Sequence, residues 1–184
     1  MINEIFNDTK LKMQKTVDYC NVEIGKIRTG RASIAMIDMV KVDYYGSQSP
    51  ISNIAHINIP EPQTIVIQPF DPTSLEAIET AIISSDIGLN PNNDGNVIRL
   101  NIPPLTEDRR KEYVKLAHNL IEEGRVRIRN IRRDANDELK KSNKNHVLSD
   151  DNLKRALDYV QELTDKKIEE LNKILQAKEK EILI

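Results

Sequence analysis

The chain has 184 residues, of which 30% are charged and 39% hydrophobic, and its formal net charge is -2, as in a helix-rich soluble protein of one or two domains. An aromatic content of 4% without tryptophan argues against a stacking platform for single-stranded bases. Short apolar runs exclude a membrane-spanning helix, and the lack of signal-peptide features together with a single cysteine predicts a cytoplasmic protein.

Proline divides the chain into three segments. All 8 prolines lie between Pro50 and Pro104. Because proline disrupts helix interiors, this distribution predicts long helices on both sides of a mixed segment.

The first segment, residues 1–30, has the apolar period of packed helices. Its stripe contains Phe6, Met13, Cys20 and Ile27 at intervals of seven, with Val17 and Ile24 between them. This spacing is typical of helices packed side by side. Cys20 lies within the stripe, so we interpret it as a core residue rather than a nucleophile. Gly30 is predicted to cap the end of the helix.

The middle segment, residues 31–104, predicts a small inserted α+β domain. Alternating apolar residues predict strands near 40–44, 57–59, 64–68 and 97–102. Asp71-Pro72 predicts the start of a helix through Ile83, and Asn93-Asp94-Gly95 predicts a turn. Residues 88–95 lack the spaced acids of a calcium loop, so we interpret them as a surface loop.

The last segment, residues 105–184, predicts two more long helices, which begin after Thr106 and Ser149. The apolar stripe of the first contains Val114, Ala117, Ile121, Gly124, Ile128, Ile131 and Ala135, and that of the second contains Leu153, Leu157, Val160, Leu171 and Ile174. Gly124 in this pattern indicates a close approach between helices. Residues 1–30 and 105–184 are therefore predicted to form an elongated three-helix bundle.

The inserted domain is joined to the bundle by two short chain crossings, which we predict to act as a hinge. They are Arg31, Ala32 and Ser33 on the way out and Pro103, Pro104 and Leu105 on the way back. Domains joined in this way are expected to move unless an extensive interface holds them together.

Residues 125–133 are the strongest functional signal, because they contain five arginines and no acid. The arginines are Arg125, Arg127, Arg129, Arg132 and Arg133. Arginine binds phosphate oxygens through a planar fork of donors, so the segment indicates binding of RNA or DNA.

Helical spacing separates these arginines. Glu122, Glu123 and Asp137 lie three or four residues from Arg125, Arg127 and Arg133, respectively, whereas Arg129 and Arg132 have no acid at those spacings. We therefore rank Arg129 and Arg132 first as ligands of a phosphate backbone. The alternative is a solvated charged face whose arginines are neutralised by acids of neighbouring helices, for example those of the Glu-rich third helix. Weaker candidates are Arg28 and Arg31, then Arg109 and Arg110, which lie near Glu107 and Glu112.

Catalysis has little support in the sequence. The three histidines are scattered, and no metal-binding spacing, glycine-rich phosphate loop or nucleophile elbow is present, so we expect no enzyme activity, metal or cofactor. A helical adaptor whose arginines bind an acidic protein remains an alternative.

Several irregular strings resemble the ribosome recycling factor family over essentially the whole chain. They are Lys26-Ile27-Arg28-Thr29-Gly30-Arg31-Ala32-Ser33, Tyr44-Tyr45-Gly46, Ser85-Asp86-Ile87-Gly88-Leu89-Asn90-Pro91-Asn92, Pro103-Pro104-Leu105-Thr106-Glu107 and residues 126–137. Ile34 is a departure, because the family commonly carries proline there.

The resemblance implies an L-shaped two-domain protein, monomeric, without DNA or membrane partners. It implies binding to large-subunit ribosomal RNA of the post-termination ribosome, through positions that include Arg28, Arg31, Arg129 and Arg132. Elongation factor G with GTP would then act on the small domain, and the ribosome would split into subunits for recycling.

Overall fold

A computed structural model describes residues 2–184. In chain order the elements are α1 (Ile2–Gly25), α2 (Ile34–Asp38), β1 (Lys41–Tyr44), β2 (Ser47–Pro50), α3 (Ile51–Ile54), β3 (Ala55–Glu61), β4 (Thr64–Pro69), a 3-10 turn (Pro72–Ser74), α4 (Leu75–Ser84), β5 (Pro91–Asn93), β6 (Ile98–Asn101), α5 (Glu107–Lys144) and α6 (Asp150–Leu183). The chain forms two compact units, one of residues up to Thr29 with Glu107–Ile184 and the other of Gly30–Thr106. The α+β class is confirmed.

The first unit is a bundle in which α1, α5 and α6 pack against one another. The α1 stripe faces the interior, with Met13, Val17, Cys20 and Ile24 all buried. At 38 residues, α5 is about 57 Å long. The predicted three-helix bundle is confirmed. Because α5 is long, its side chains can form a row along the surface of the bundle.

Gly124 lies where α5 packs against both α1 and α6. A Cβ atom built there would lie 2.6 Å from Cys20 Sγ and 3.2 Å from Leu171 Cδ1. The glycine therefore lets α5 approach α1 and α6, as its position in the apolar stripe predicts.

The end of α1 differs from the prediction, because the helix stops at Gly25 rather than near Gly30. The N–H groups of Lys26 and Ile27 donate to carbonyls three residues back, which tightens the last turn. Gly30 instead has a left-handed φ of 71°. A Cβ on Gly30 would lie 3.0 Å from Leu105 Cγ and 3.1 Å from the Leu105 backbone nitrogen. The lack of a side chain therefore allows Gly30 to pack closely against Leu105 within the second unit.

The second unit contains a two-stranded sheet, β1-β2, and a four-stranded antiparallel sheet in the order β3-β4-β6-β5. Helix α4 packs on these strands, and its buried residues join Ile65, Ile67, Ile98 and Leu100 in one apolar core. One interpretation was wrong, because residues 91–93, expected to lie in a surface loop, pair with β6 as β5. Residues 47–50 form β2, where no strand was predicted.

Local capping and turn chemistry fixes several boundaries. Tyr45 and Gly46 both have positive φ, 49° and 79°, as a two-residue hairpin turn requires. Asp71 Oδ1 accepts from Thr73 N at 3.0 Å at the 3-10 turn before α4, and Ser149 Oγ accepts from Asn152 N at 3.3 Å at the start of α6. Both predicted helix starts are confirmed.

Ile34 is the first residue of α2, after an extended Ser33. At the first helical position the backbone N–H has no partner within the helix, and the fixed φ of proline suits the helical backbone. A proline would therefore fit here. An isoleucine at this position is 45% exposed.

Candidate nucleic-acid interface

Three arginines form a row on α5 where it borders α6. Arg125, Arg129 and Arg132 are spaced by four and three residues, so they share one face over about 10 Å of the helix axis. Side-chain bonds from Arg125 and Arg132 reach α6. We call these three residues the arginine row.

Glu122 contacts two members of the arginine row. Its Oε1 accepts from Arg129 Nη2 at 2.7 Å, and its Oε2 accepts from Arg125 Nη1 at 3.0 Å. These hydrogen bonds, the one from Arg129 first, lower the pKa of the Glu122 carboxyl. The expectation that Arg129 has no acidic partner was therefore wrong, because the two long side chains meet across two helical turns, outside the three- and four-residue spacings.

Helix α6 contributes amides to the arginine row. Arg125 Nε donates to Asn172 Oδ1 at 3.1 Å, and Arg132 Nη1 donates to Gln161 Oε1 at 2.9 Å. Gln161 in turn donates from Nε2 to Asp165 at 2.8 Å. Within the described residues, no ion pair joins Arg129 or Arg132 to an acid of α6. Among residues 2–184, Arg132 forms no ion pair, so its charge is oriented without being cancelled.

Two other arginines of the segment have different surroundings from those expected. Arg127 lies over the Tyr19 ring at 5.1 Å, on the side of α5 that faces α1, and forms no ion pair with Glu123. Because Tyr19 belongs to α1, the sequence of α5 alone does not predict this contact. Arg133 is exposed, and within the described chain it forms no ion pair with Asp137.

The remaining candidates are dispersed. Arg28 is exposed in the first unit, whereas Arg31 is half-buried in the second. Arg109 pairs with Glu112 at 3.0 Å, and Arg110 donates to the carbonyl of Leu183 at 3.2 Å, which agrees with their low rank.

The predicted hinge residues belong to the second unit. Ala32 N donates to the Pro62 carbonyl at 2.7 Å, and Ile102 N donates to the Gln63 carbonyl at 2.8 Å. The outward crossing is thus bonded to the β3–β4 turn, and the residue before the return crossing is bonded to the same turn. Their function as a hinge remains a prediction.

Sequence reasoning missed Glu122 as a partner of Arg129, and it missed Asn172 and Gln161 altogether. A search at seven-residue spacing would have found Glu122. Asn172 and Gln161 become partners of the arginines only because of how α6 is aligned along α5. No local sequence pattern predicts that alignment.

The described residues contain no cluster of three histidine, cysteine, aspartate or glutamate side chains suited to a metal. No described helix combines the length and apolarity needed to cross a membrane. Cys20 is buried, and this burial raises the pKa of its thiol, as fits a packing residue.

Comparison with known proteins decides the family. A family model described as ribosome recycling factor matches residues 20–183. The chain belongs to the ribosome recycling factor family. These are translation factors without enzymatic activity of their own.

Relatives match over nearly their full length. A ribosome-recycling factor of Halothermothrix orenii is 50% identical over 183 residues, which cover 100% of this chain and 99% of the relative. One from Symbiobacterium thermophilum is 51% identical with the same coverage.

Solved structures of the family share the fold. A solution structure of ribosome recycling factor is similar with a TM-score of 0.84 and 47% identity, covering 99% of this chain and 97% of the other. A second match, with a TM-score of 0.69, 44% identity and full coverage of both chains, comes from models of Thermus thermophilus ribosome recycling factor and Escherichia coli elongation factor G on the E. coli post-termination complex.

Proposed function

We propose that this protein binds the post-termination ribosome in the cytoplasm through large-subunit ribosomal RNA. In this proposal elongation factor G with GTP acts on the bound factor, and the ribosome separates into its subunits. The family membership and the similarity to a factor placed on a post-termination complex support the proposal.

The single observation that carries the RNA contact is the arginine row. Its guanidinium groups are oriented by Glu122, Asn172 and Gln161, and only one of these partners is charged. Oriented arginines with spare donors suit phosphate oxygens, and folded RNA would supply the register through its shape. Arg28, Arg31 and the exposed Arg133 are the further RNA ligands in this proposal.

The factor itself need not catalyse any bond change. Because it can shift the ribosome toward separated subunits only by binding that state more tightly, differential affinity is its contribution and the GTPase supplies the work. We propose that the second unit moves as a body during this process. The bond from Ala32 to the β3–β4 turn supports that proposal, since it ties the outward crossing to the second unit, and Ile102, next to the return crossing, is bonded to the same turn.

The test is a reconstituted splitting reaction. Post-termination ribosomes are mixed with elongation factor G, GTP and this protein, and the subunits are resolved by sedimentation. We expect separation with the wild type, and much less with Arg129→Ala/Arg132→Ala at the same concentration. If the wild type binds ribosomes but the double variant splits them equally well, the arginine row has no part in the function.

A further inference from the structure

The carboxylate of Glu122 occupies the space between two guanidinium groups. Each of its oxygens accepts from a different arginine, Oε1 from Arg129 and Oε2 from Arg125. The Glu122 side chain is 52% exposed, so an approaching anion can reach the same guanidinium groups. One negative charge is thus shared by two positive charges at the surface.

A phosphodiester resembles a carboxylate in the features that this site recognises. It presents two oxygens and one negative charge, and arginine binds both groups through the same fork of donors. We propose that Glu122 is an intramolecular substitute for an RNA phosphate, which occupies the Arg125–Arg129 site in the free protein and is displaced when RNA binds. This inference rests on the proposed function, because it concerns the same face.

The two arginines have different anchors, which supports such an exchange. Arg125 is only 24% exposed and is held from α6 by Asn172, so it would stay in place when Glu122 leaves. Arg129 is 39% exposed, and Glu122 is its one hydrogen-bond partner among residues 2–184. Arg129 can therefore transfer its donors from the carboxylate to a phosphate without breaking any other bond.

The exchange makes RNA binding more selective. Any anion that uses this site must first displace a carboxylate whose local concentration is high, because it belongs to the same helix. A weakly held or poorly placed anion cannot do so. A phosphate fixed by contacts along the rest of the arginine row can, so the arrangement discriminates against loosely bound polyanions.

The direct test is Glu122→Gln. Glutamine has the size and helix propensity of glutamate but no charge, so it competes less well for the two guanidinium groups. We expect the Kd for purified large ribosomal subunits to fall about two- to fivefold, the range that corresponds to an exposed ion pair. Glu123→Gln is the matched control. It removes the same charge from the neighbouring residue, whose side chain does not contact the arginine row.

A double-mutant cycle separates competition from a general charge effect. In an Arg129→Gln background, Glu122→Gln should change the Kd by much less than it does in the wild type. Weaker binding by Glu122→Gln would overturn the inference, because it would show that Glu122 only orients the arginines. An equal gain from Glu123→Gln, or an undiminished gain in the Arg129→Gln background, would also overturn it. Failure of the wild type itself to bind subunits would instead reject the proposed function, and this inference with it.

Discussion

Arg132 Nη1 donates a hydrogen bond to Gln161 Oε1 at 2.9 Å, and this partner is neutral. The amide fixes the direction of the guanidinium group while leaving its full positive charge available. If this charge contacts an RNA phosphate, Arg132→Ala should weaken binding to large subunits by about 1–3 kcal/mol, the usual range for a charge-assisted hydrogen bond. Equilibrium sedimentation with purified subunits measures the difference.

Two variants serve as controls for that experiment. Gln161→Ala keeps the charge of Arg132 and should weaken binding less. Arg127→Ala removes one positive charge from the opposite side of α5, where the guanidinium stacks on Tyr19, and should also have the smaller effect. A loss from Arg127→Ala equal to that from Arg132→Ala would show that only net charge matters.

Gly124 predicts a measurable packing defect. A Cβ atom only 2.6 Å from Cys20 Sγ requires the helices to shift, so Gly124→Ala should destabilise the protein by about 1–3 kcal/mol in denaturant unfolding. Gly25→Ala is the control, because nothing lies within 4 Å of its Cβ position, and alanine should be neutral or stabilising by up to about 1 kcal/mol. Cys20→Ala should rescue part of the Gly124→Ala defect. Additive effects would contradict the contact.

Gly30 and Gly46 separate backbone strain from close packing. Both have positive φ, 71° and 79°, so alanine should destabilise each by roughly 1 kcal/mol. Only Gly30 also lies against Leu105, whereas the Gly46 position is open. Gly30→Ala should therefore have the larger effect on the midpoint of denaturant unfolding. Equal effects would mean that Leu105 can move aside freely.

The apolar period made the bundle predictable, since Met13, Val17 and Ile24 repeat with the geometry of the packed helix. Gly124 was interpretable for the same reason, because a glycine within such a stripe has few other uses. Strands β2 and β5 were missed because they are short and polar, and their place in a sheet depends on their partners rather than on their own sequences.

The candidate site was less predictable than the fold. The arginine-rich segment is visible in the sequence, but the ion pair of Arg129 with Glu122 spans two turns and lies beyond local spacing rules. The contacts of Asn172 and Gln161 depend on how α6 aligns with α5. Local sequence therefore identifies which side chains carry charge, and tertiary packing determines which charges remain available.

Asp71 predicts a pH-dependent contribution to stability. The N–H of Thr73, followed by the hydroxyl groups of Thr73 and Tyr45, lowers the pKa of the Asp71 carboxyl. Because the folded-state pKa is lower than the unfolded one, this contribution is present above the unfolded pKa of about 3.9 and is lost as the pH falls through the folded value. Asp71→Asn can still accept from Thr73 but does not titrate.

The comparison is the loss of stability between pH 6 and pH 2.5, measured by denaturant unfolding. We expect a smaller loss for Asp71→Asn than for the wild type. Identical losses would show that the carboxylate of Asp71 does not contribute to this pH dependence.

The most direct measurement is the salt dependence of binding to large ribosomal subunits, compared between the wild type and Arg132→Ala. Each phosphate contact adds about 0.7–0.9 to the magnitude of the slope of log K against log salt concentration. If the arginine row binds phosphate, the wild type should show a steep negative slope and Arg132→Ala a slope shallower by about that amount. Parallel lines with equal affinities would contradict the account.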